Sequence, residues 1–98
     1  MFITTVKKNA EENAQINIFP NPSTGKINLL IENLKYTDRQ NFIEVFDVLG
    51  RSVFKETIYG INGSTNSILN LQHLSNGSYT VKLKTSEKIY TSKVIISK

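Results

Sequence analysis

Residues 78–84 read Ser-Tyr-Thr-Val-Lys-Leu-Lys, and this stretch decides the fold. Apolar and polar side chains alternate along it without a break. Because successive side chains of a β-strand point to opposite faces, strict alternation predicts a strand with one buried and one solvated face. Tyr79, Val81 and Leu83 are therefore expected in a core, and Lys82 and Lys84 in water.

Runs of the same kind lie on both sides of this stretch and are separated by turn residues such as glycine, proline and asparagine. The predicted strands cover residues 15–19, 26–32, 41–48, 52–58, 66–71, 78–84 and 89–97. Residues 41–48 are apolar almost throughout, which indicates a central strand that is covered on both faces or carries a bulge. Seven short strands with close turns and no amphipathic helix predict an all-β fold, a seven-stranded antiparallel immunoglobulin-like β-sandwich.

The chain has 98 residues, which leaves room for one domain. Residues 15–98 are expected to form it, and residues 1–14, with their mixed charges, are expected to be a linker or the end of an upstream segment. No apolar run approaches the roughly 18 residues of a membrane helix, so membrane insertion is not expected. Lys7 and Lys8 follow the short apolar stretch at the start, where a secretory signal peptide would have its lysines first. Either the protein stays inside the cell, or the chain is the tail piece of a longer precursor whose signal lies upstream.

The formal net charge is +4, and all of the excess lies from Tyr79 onward, where the sequence contains five lysines and one glutamate, Glu87. Nucleic-acid binding is not predicted, because no exposed aromatic residue is interleaved with these lysines for base stacking. Lysines on terminal strands also protect sheet edges from aggregation.

No group of residues predicts catalysis, a cofactor or a metal. The single histidine, His73, lies in a predicted turn without a neighbouring carboxylate or serine. Glu44 and Asp47 are three positions apart on a strand, so they should face opposite ways, and Asp47 is expected to accept hydrogen bonds from turn amides instead. No phosphate loop, zinc spacing or nucleophile elbow is present. The sequence therefore predicts a protein that is not an enzyme.

Three segments carry more specific information. The first motif, residues 18–25, reads Ile-Phe-Pro-Asn-Pro-Ser-Thr-Gly. The middle motif, residues 43–51, ends a strand in an aspartate and a turn glycine, and the third motif, residues 74–83, places Asn-Gly before the alternating strand. In this order and at these separations they resemble the C-terminal sorting domain of the type IX secretion system. The resemblance assigns the sorting motif to Pro20, Asn21, Pro22, Gly25, Asp47, Gly50, Gly77, Tyr79 and Val81. Gly77 is expected at positive φ.

The resemblance implies a secretion signal that directs an N-terminally linked passenger protein across the outer membrane. Its partners would be the type IX machinery, with an outer-membrane translocon and shuttle, and a sortase-like cysteine peptidase that usually removes the domain. Cleavage is expected between Lys8 and Gln15. The protein would pass through the periplasm to the cell surface or the medium, with no cofactor.

The end of the chain is a candidate recognition region, formed by Lys93, Val94, Ile95, Ile96, Ser97 and Lys98. One reading is that an unpaired strand edge here docks by strand addition, aided by the lysines. The other is that the lysines only keep the edge soluble. A rival function is a fibronectin- or immunoglobulin-like adhesion or carbohydrate-binding module, for which Phe19, Tyr36 and Tyr59 are the candidate exposed aromatics.

Overall fold

The computed structural model describes residues 14–34, 40–59, 63–86 and 88–98. Within these ranges the chain forms seven strands: β1 (Gln15–Phe19), β2 (Lys26–Leu34), β3 (Gln40–Phe46), β4 (Ser52–Tyr59), β5 (Gly63–Asn70), β6 (Gly77–Lys84) and β7 (Ile89–Ile96). They build a three-stranded sheet in the order β1-β2-β5 and a four-stranded sheet in the order β4-β3-β6-β7, and all pairs are antiparallel. The predicted sandwich is confirmed.

The core between the two sheets comes from alternate residues of the inner strands. Tyr79, Val81 and Leu83 on β6 are buried, as the alternation predicts. The neighbouring polar residues of β6 point to the outer face of the four-stranded sheet. The remaining core residues are Ile27, Leu29, Ile31, Ile43, Val45, Leu69, Leu71, Leu74, Tyr90, Val94 and Ile96.

The β3 strand is central in its sheet and also carries an irregularity, because its register with β4 shifts between Val45 and Phe46. Its outward-facing rings are covered by lysine side chains rather than by another layer of protein. The ammonium of Lys55 lies 5.0 Å from the Phe42 ring centroid and that of Lys82 lies 5.2 Å from the Phe46 ring centroid. Lysine stems thus shield apolar surface while their charges stay in water.

Three predicted boundaries are off by two or three residues, and one of them is the end of β2, which continues to Leu34 beyond the predicted residue 32. The β3 strand ends at Phe46, not Val48, because residues 47–50 turn and leave the Val48 side chain 77% exposed. The β5 strand begins at Gly63, three residues before the predicted start. Its first half is entirely polar, so it lacks the apolar alternation that marks a strand, yet Gly63 and Thr65 pair with β2.

None of the residues in the described ranges belongs to a helix long and apolar enough to cross a membrane. The predicted linker, residues 1–14, lies outside the described residues except for Ala14, which packs against the core.

Candidate recognition surface

The turn segments of all three motifs lie at one end of the sandwich, which we call the motif end. The first motif connects the end of β1 to the start of β2, the turn of the middle motif follows the end of β3, and the turn of the third motif precedes the start of β6. The end of β7 joins them, because Ile96 pairs with Gly77 on one side and forms a bridge with Ser23 on the other. The topology therefore gathers segments that are far apart in sequence.

The first motif is hydrogen-bonded along the outer edge of β7. The Asn21 side chain acts as a peptide group: its Nδ2 donates to the Lys93 carbonyl at 3.0 Å, and its Oδ1 accepts from the Ile95 amide at 2.9 Å. Ser23 continues the pairing with its backbone, since its N–H donates to the Ile95 carbonyl and its carbonyl accepts from the Ser97 amide, both at 2.8 Å. Pro20 and Pro22 flank Asn21 and restrict the backbone on both sides of it.

This geometry corrects the expectation of an unpaired edge at the end of the chain. From Lys93 to Ser97 the outward groups of β7 already bond to Asn21 and Ser23. Strand addition there would first have to displace the first motif. The sequence does not reveal this pairing, because proline cannot donate to a ladder and Pro-Asn-Pro indicates only the end of a strand. The Asn21 side chain and the Ser23 backbone supply the pairing instead.

Replacing Asn21 with alanine is expected to open this edge. Both amide bonds disappear, and since the site is exposed and water can replace them, we expect a loss of about 1 kcal/mol in the free energy of unfolding. The Ile95 amide should exchange with solvent much faster, as measured by hydrogen exchange with NMR detection. The matched control is Asn17→Ala. Asn17 is also an exposed asparagine, but its side chain donates to Glu32 within the three-stranded sheet, which does not contain β7. Equal protection of Ile95 in both variants would contradict the edge-capping role.

Ser23 is a motif residue that sequence reasoning missed. Its side chain is 3% exposed, and its Oγ accepts from the Gly25 amide at 2.9 Å and donates to the Lys26 carbonyl at 3.0 Å. Gly25 has φ 128°, and its carbonyl accepts from the Leu71 amide. The signal was available, because serine two residues before glycine after a proline turn is a local side-chain-to-backbone capping pattern.

The candidate recognition region is part core and part anchored surface. Val94 and Ile96 are core residues, whereas Lys93, Ile95, Ser97 and Lys98 are exposed.

Lys98 is tied to the third motif. Its Nζ donates to the carbonyls of Gln72 and Leu74 at 2.7 and 2.6 Å, and its amide donates to Asn76 Oδ1 at 3.0 Å. The same motif is braced from within, because the Tyr79 hydroxyl donates to the Ser75 carbonyl at 2.7 Å. The chain end is thus folded onto the motif end.

Gly77 has φ 156°, so the predicted positive value is confirmed.

The middle motif is organised by Asp47, as expected. Its Oδ1 accepts from the amides of Leu49 and Arg51, both at 2.9 Å, and its Oδ2 accepts from Arg51 Nε at 2.8 Å. The Arg51 amide, with the Arg51 guanidinium and the Leu49 amide, holds the pKa of the Asp47 carboxyl below its usual value of 3.8. Gly50 has φ 83° and completes the turn.

Asp47→Asn should remove a pH-dependent part of the stability. Because the folded pKa lies below the unfolded one, the Asp47 contribution is complete above about pH 4 and is lost as pH falls through the folded value. Urea denaturation of both proteins across this range should therefore show a stability difference that shrinks as the solution becomes more acidic. Other carboxylates are common to both proteins and cancel. A difference that stayed constant down to strong acid would contradict this role.

Glu44 does not meet Asp47, also as expected. It lies on the outer face of β3, where its Oε1 accepts from Lys84 Nζ at 3.3 Å. The Ser52 hydroxyl, together with Lys84, lowers the pKa of the Glu44 carboxyl. His73 is exposed in its turn. Within the described ranges no three histidine, cysteine, aspartate or glutamate side chains are grouped to hold a metal ion.

An open groove of about 490 Å³ joins the middle motif, the third motif and β7. Its walls are formed by Phe46, Asp47, Val48, Gly50, Ser78, Tyr79, Thr80, Lys82 and Lys93.

Two of the three candidate aromatics for a sugar platform lie on different sheets. Phe19 is 45% exposed on the three-stranded sheet and Tyr59 is 67% exposed on the edge of the other sheet, while Tyr36 lies outside the described residues.

The fold and these contacts define a β-sandwich whose signature residues build and brace one end of the molecule. Residues 17–97 match the family model of the secretion system C-terminal sorting domain, and the chain belongs to that family. It is also similar to an ulvan lyase of Nonlabens ulvanivorans, with 22% identity over 95 residues. This similarity covers 96% of the chain and 16% of the lyase, so the chain spans about a sixth of its relative.

Membership supports a C-terminal sorting signal of the type IX secretion system. Such a signal implies export to the cell surface or the medium, and it implies two partners, the secretion machinery and a passenger linked N-terminally.

Proposed function

We propose that residues 15–98 are a folded sorting signal, which the type IX machinery recognises when it transports a passenger protein across the outer membrane. The observation that carries this proposal is the convergence of the three family motifs on one end of the sandwich. There Asn21 and Ser23 bond β7, and Lys98 bonds the third motif. A sorting signal needs a stable shape and an accessible surface, and the motif end has both.

The finer steps follow from the family. The precursor passes through the periplasm, the translocon and its shuttle bind the domain, and a sortase-like cysteine peptidase then cuts between Lys8 and Gln15. Residues 1–14 serve as the linker that the peptidase reaches. The passenger is joined to an anionic lipopolysaccharide or released. The domain itself performs no chemistry in this scheme, and any enzymatic activity belongs to the passenger.

An export assay tests the proposal. The whole chain is fused behind a signal peptide and a fluorescent passenger and produced in a bacterium with a working type IX system. We expect fluorescence at the surface or in the medium. In an isogenic strain without the translocon, it should stay in the periplasm. Equal export from both strains, or none from the competent strain, would overturn the proposal.

The same fusion tests the cleavage site. Mass spectrometry of the exported passenger should find its new C-terminus between Lys8 and Gln15. Intact fusion protein in the medium would contradict the proposed cleavage step but not the proposed sorting function.

A further inference from the structure

We propose that the groove at the motif end binds an acidic polypeptide segment of the export machinery, with Lys82 and Lys93 as the recognising charges. This inference rests on the proposed function and deepens it, because it names the surface that is bound and the chemistry of the segment that binds it. The groove lies on the outer face of the four-stranded sheet, and its wall includes both lysines.

The two outer faces of the sandwich differ in charge. The face of the four-stranded sheet carries Lys55, Lys82, Lys84 and Lys93 against Glu44. The face of the three-stranded sheet carries Lys26 and Glu32, whose charges offset, and a network of amides, in which Gln15 and Asn17 donate to Glu32 and Asn66 donates to Asn28. The positive charge of the last two strands is therefore displayed on one face and not spread around the molecule.

Within the groove the positive charge is not cancelled by the groove's own carboxylate. Asp47 is already bound by two turn amides and by Arg51, and Glu44 is bound by Lys84. Among the residues that the structure describes, no carboxylate lies in ion-pair range of Lys82 or Lys93. The Phe46 ring lies under the Lys82 ammonium, which keeps that charge at the groove. Such a site attracts an anionic partner.

The shape of the groove favours a polypeptide as the partner. At about 490 Å³ it has the size of a pocket that takes a few side chains. Its walls mix the exposed apolar Val48 and the Phe46 ring with the hydroxyls of Ser78 and Thr80, which suits a segment with both apolar and carboxylate side chains. A flat lipid surface does not follow a concave wall. Two lysines are few for a nucleic-acid backbone, because each neutralised phosphate adds to the affinity and binding depends on several such contacts.

Main-chain docking at the adjoining edge is already blocked. The first motif occupies the outward groups of β7 from Lys93 to Ser97. A partner arriving at the motif end therefore meets side chains, and charge recognition in the groove takes the place of strand addition, which was one of the two readings of this edge.

The decisive experiment uses the export assay with two double variants that change the net charge equally. Lys82→Glu with Lys93→Glu reverses the groove, and Lys26→Glu with Lys88→Glu reverses two exposed lysines that do not line it. We expect the groove variant to lower export by about tenfold and the control to leave it unchanged. Equal export from the two variants would overturn the groove as the recognised surface. If the unmodified chain fails to export, the proposed function fails with it, so the two failures are distinguishable.

Folding and partner class are checked on the purified chain. Circular dichroism should show both variants folded. Because Lys82 packs over Phe46, the single variant Lys93→Glu serves as the test if the double variant is unstable. In NMR titrations, a synthetic peptide of alternating glutamate and leucine should shift the amide signals of Thr80, Lys82 and Lys93, and the shifts should vanish in the groove variant. Shifts caused by anionic phosphatidylglycerol vesicles but not by the peptide, or no shifts with the peptide, would overturn the assignment to a polypeptide.

Discussion

Val81→Asp is expected to leave the domain unfolded at neutral pH. Val81 is fully buried in β6, where it pairs with Val45 of β3 and Ser92 of β7 in the middle of the four-stranded sheet. An ionised carboxylate there has no cation within the core residues around it. The cost of burying an unpaired charge is several kcal/mol, and the total stability of a domain of this size is typically about 5–15 kcal/mol. The variant should lack the dispersed NMR spectrum of a folded β-protein.

Two further variants keep this prediction quantitative. Val48→Asp makes the same chemical change at a valine that is 77% exposed, and it should alter the free energy of unfolding by less than about 0.5 kcal/mol. Val81→Thr keeps the shape and buries only a hydroxyl, so a loss of about 1–3 kcal/mol is expected from urea denaturation. If Val81→Asp were as stable as Val48→Asp, the inward direction of Val81 would be wrong.

Features that depend on neighbours along the chain could be predicted from the sequence. The burial of Val81 follows from the alternation of residues 78–84, and that of Ile27, Leu29 and Ile31 follows from the same rule. The turn at Asp47 was also predictable, because an aspartate before a glycine turn can bond amides two and four residues ahead. In both cases the interacting groups lie on one short segment.

Features that join distant segments could not be predicted in the same way. The bond from Asn21 to the Ile95 amide spans 74 residues, and the bond from Lys98 to the Leu74 carbonyl spans 24. Neither residue type signals its partner, since an asparagine between prolines is ordinary turn composition. The first half of β5 was missed for a related reason. Its polar residues pair with β2 but bring no apolar pattern of their own.

These distant contacts account for most of the difference between the site predicted from the sequence and the site in the structure. Family resemblance identified the motif residues, but only the fold shows that the first motif covers the strand edge that the sequence left open. The charge asymmetry along the chain was predictable by counting, whereas its position on one outer face and its groove depend on strand order. The recognition surface that we propose therefore consists of side chains on the face beside β7 and not of the β7 main chain.

Gly25→Ala is expected to be the most destabilising single-methyl addition in the motif end. A Cβ at Gly25 would lie 2.7 Å from the Cα, 3.0 Å from the N and 3.0 Å from the Cγ of Gln72, so the shortest contact is with backbone, which a side-chain rotation cannot relieve. The backbone of Gly25 is fixed where it is, because its carbonyl binds the Leu71 amide at 2.6 Å and its amide binds the buried Ser23 Oγ at 2.9 Å. The new methyl can fit only if the start of β2 moves away from the turn that follows β5.

Gly50→Ala separates this clash from the cost of an unusual backbone angle. Gly50 also has positive φ, at 83°, but nothing lies within 4 Å of a Cβ placed there. It should lose about 1 kcal/mol, the usual cost of a side chain in such a conformation. Gly25→Ala adds overpacking of about 1–3 kcal/mol to a similar strain, so it should lower the melting temperature by roughly 10–20 °C. Thermal denaturation followed by circular dichroism measures both. Equal shifts of the melting temperature in the two variants would mean that the first motif can separate from Gln72 without loss of stability. The motif end would then not be the rigid unit on which we expect recognition in the groove to depend.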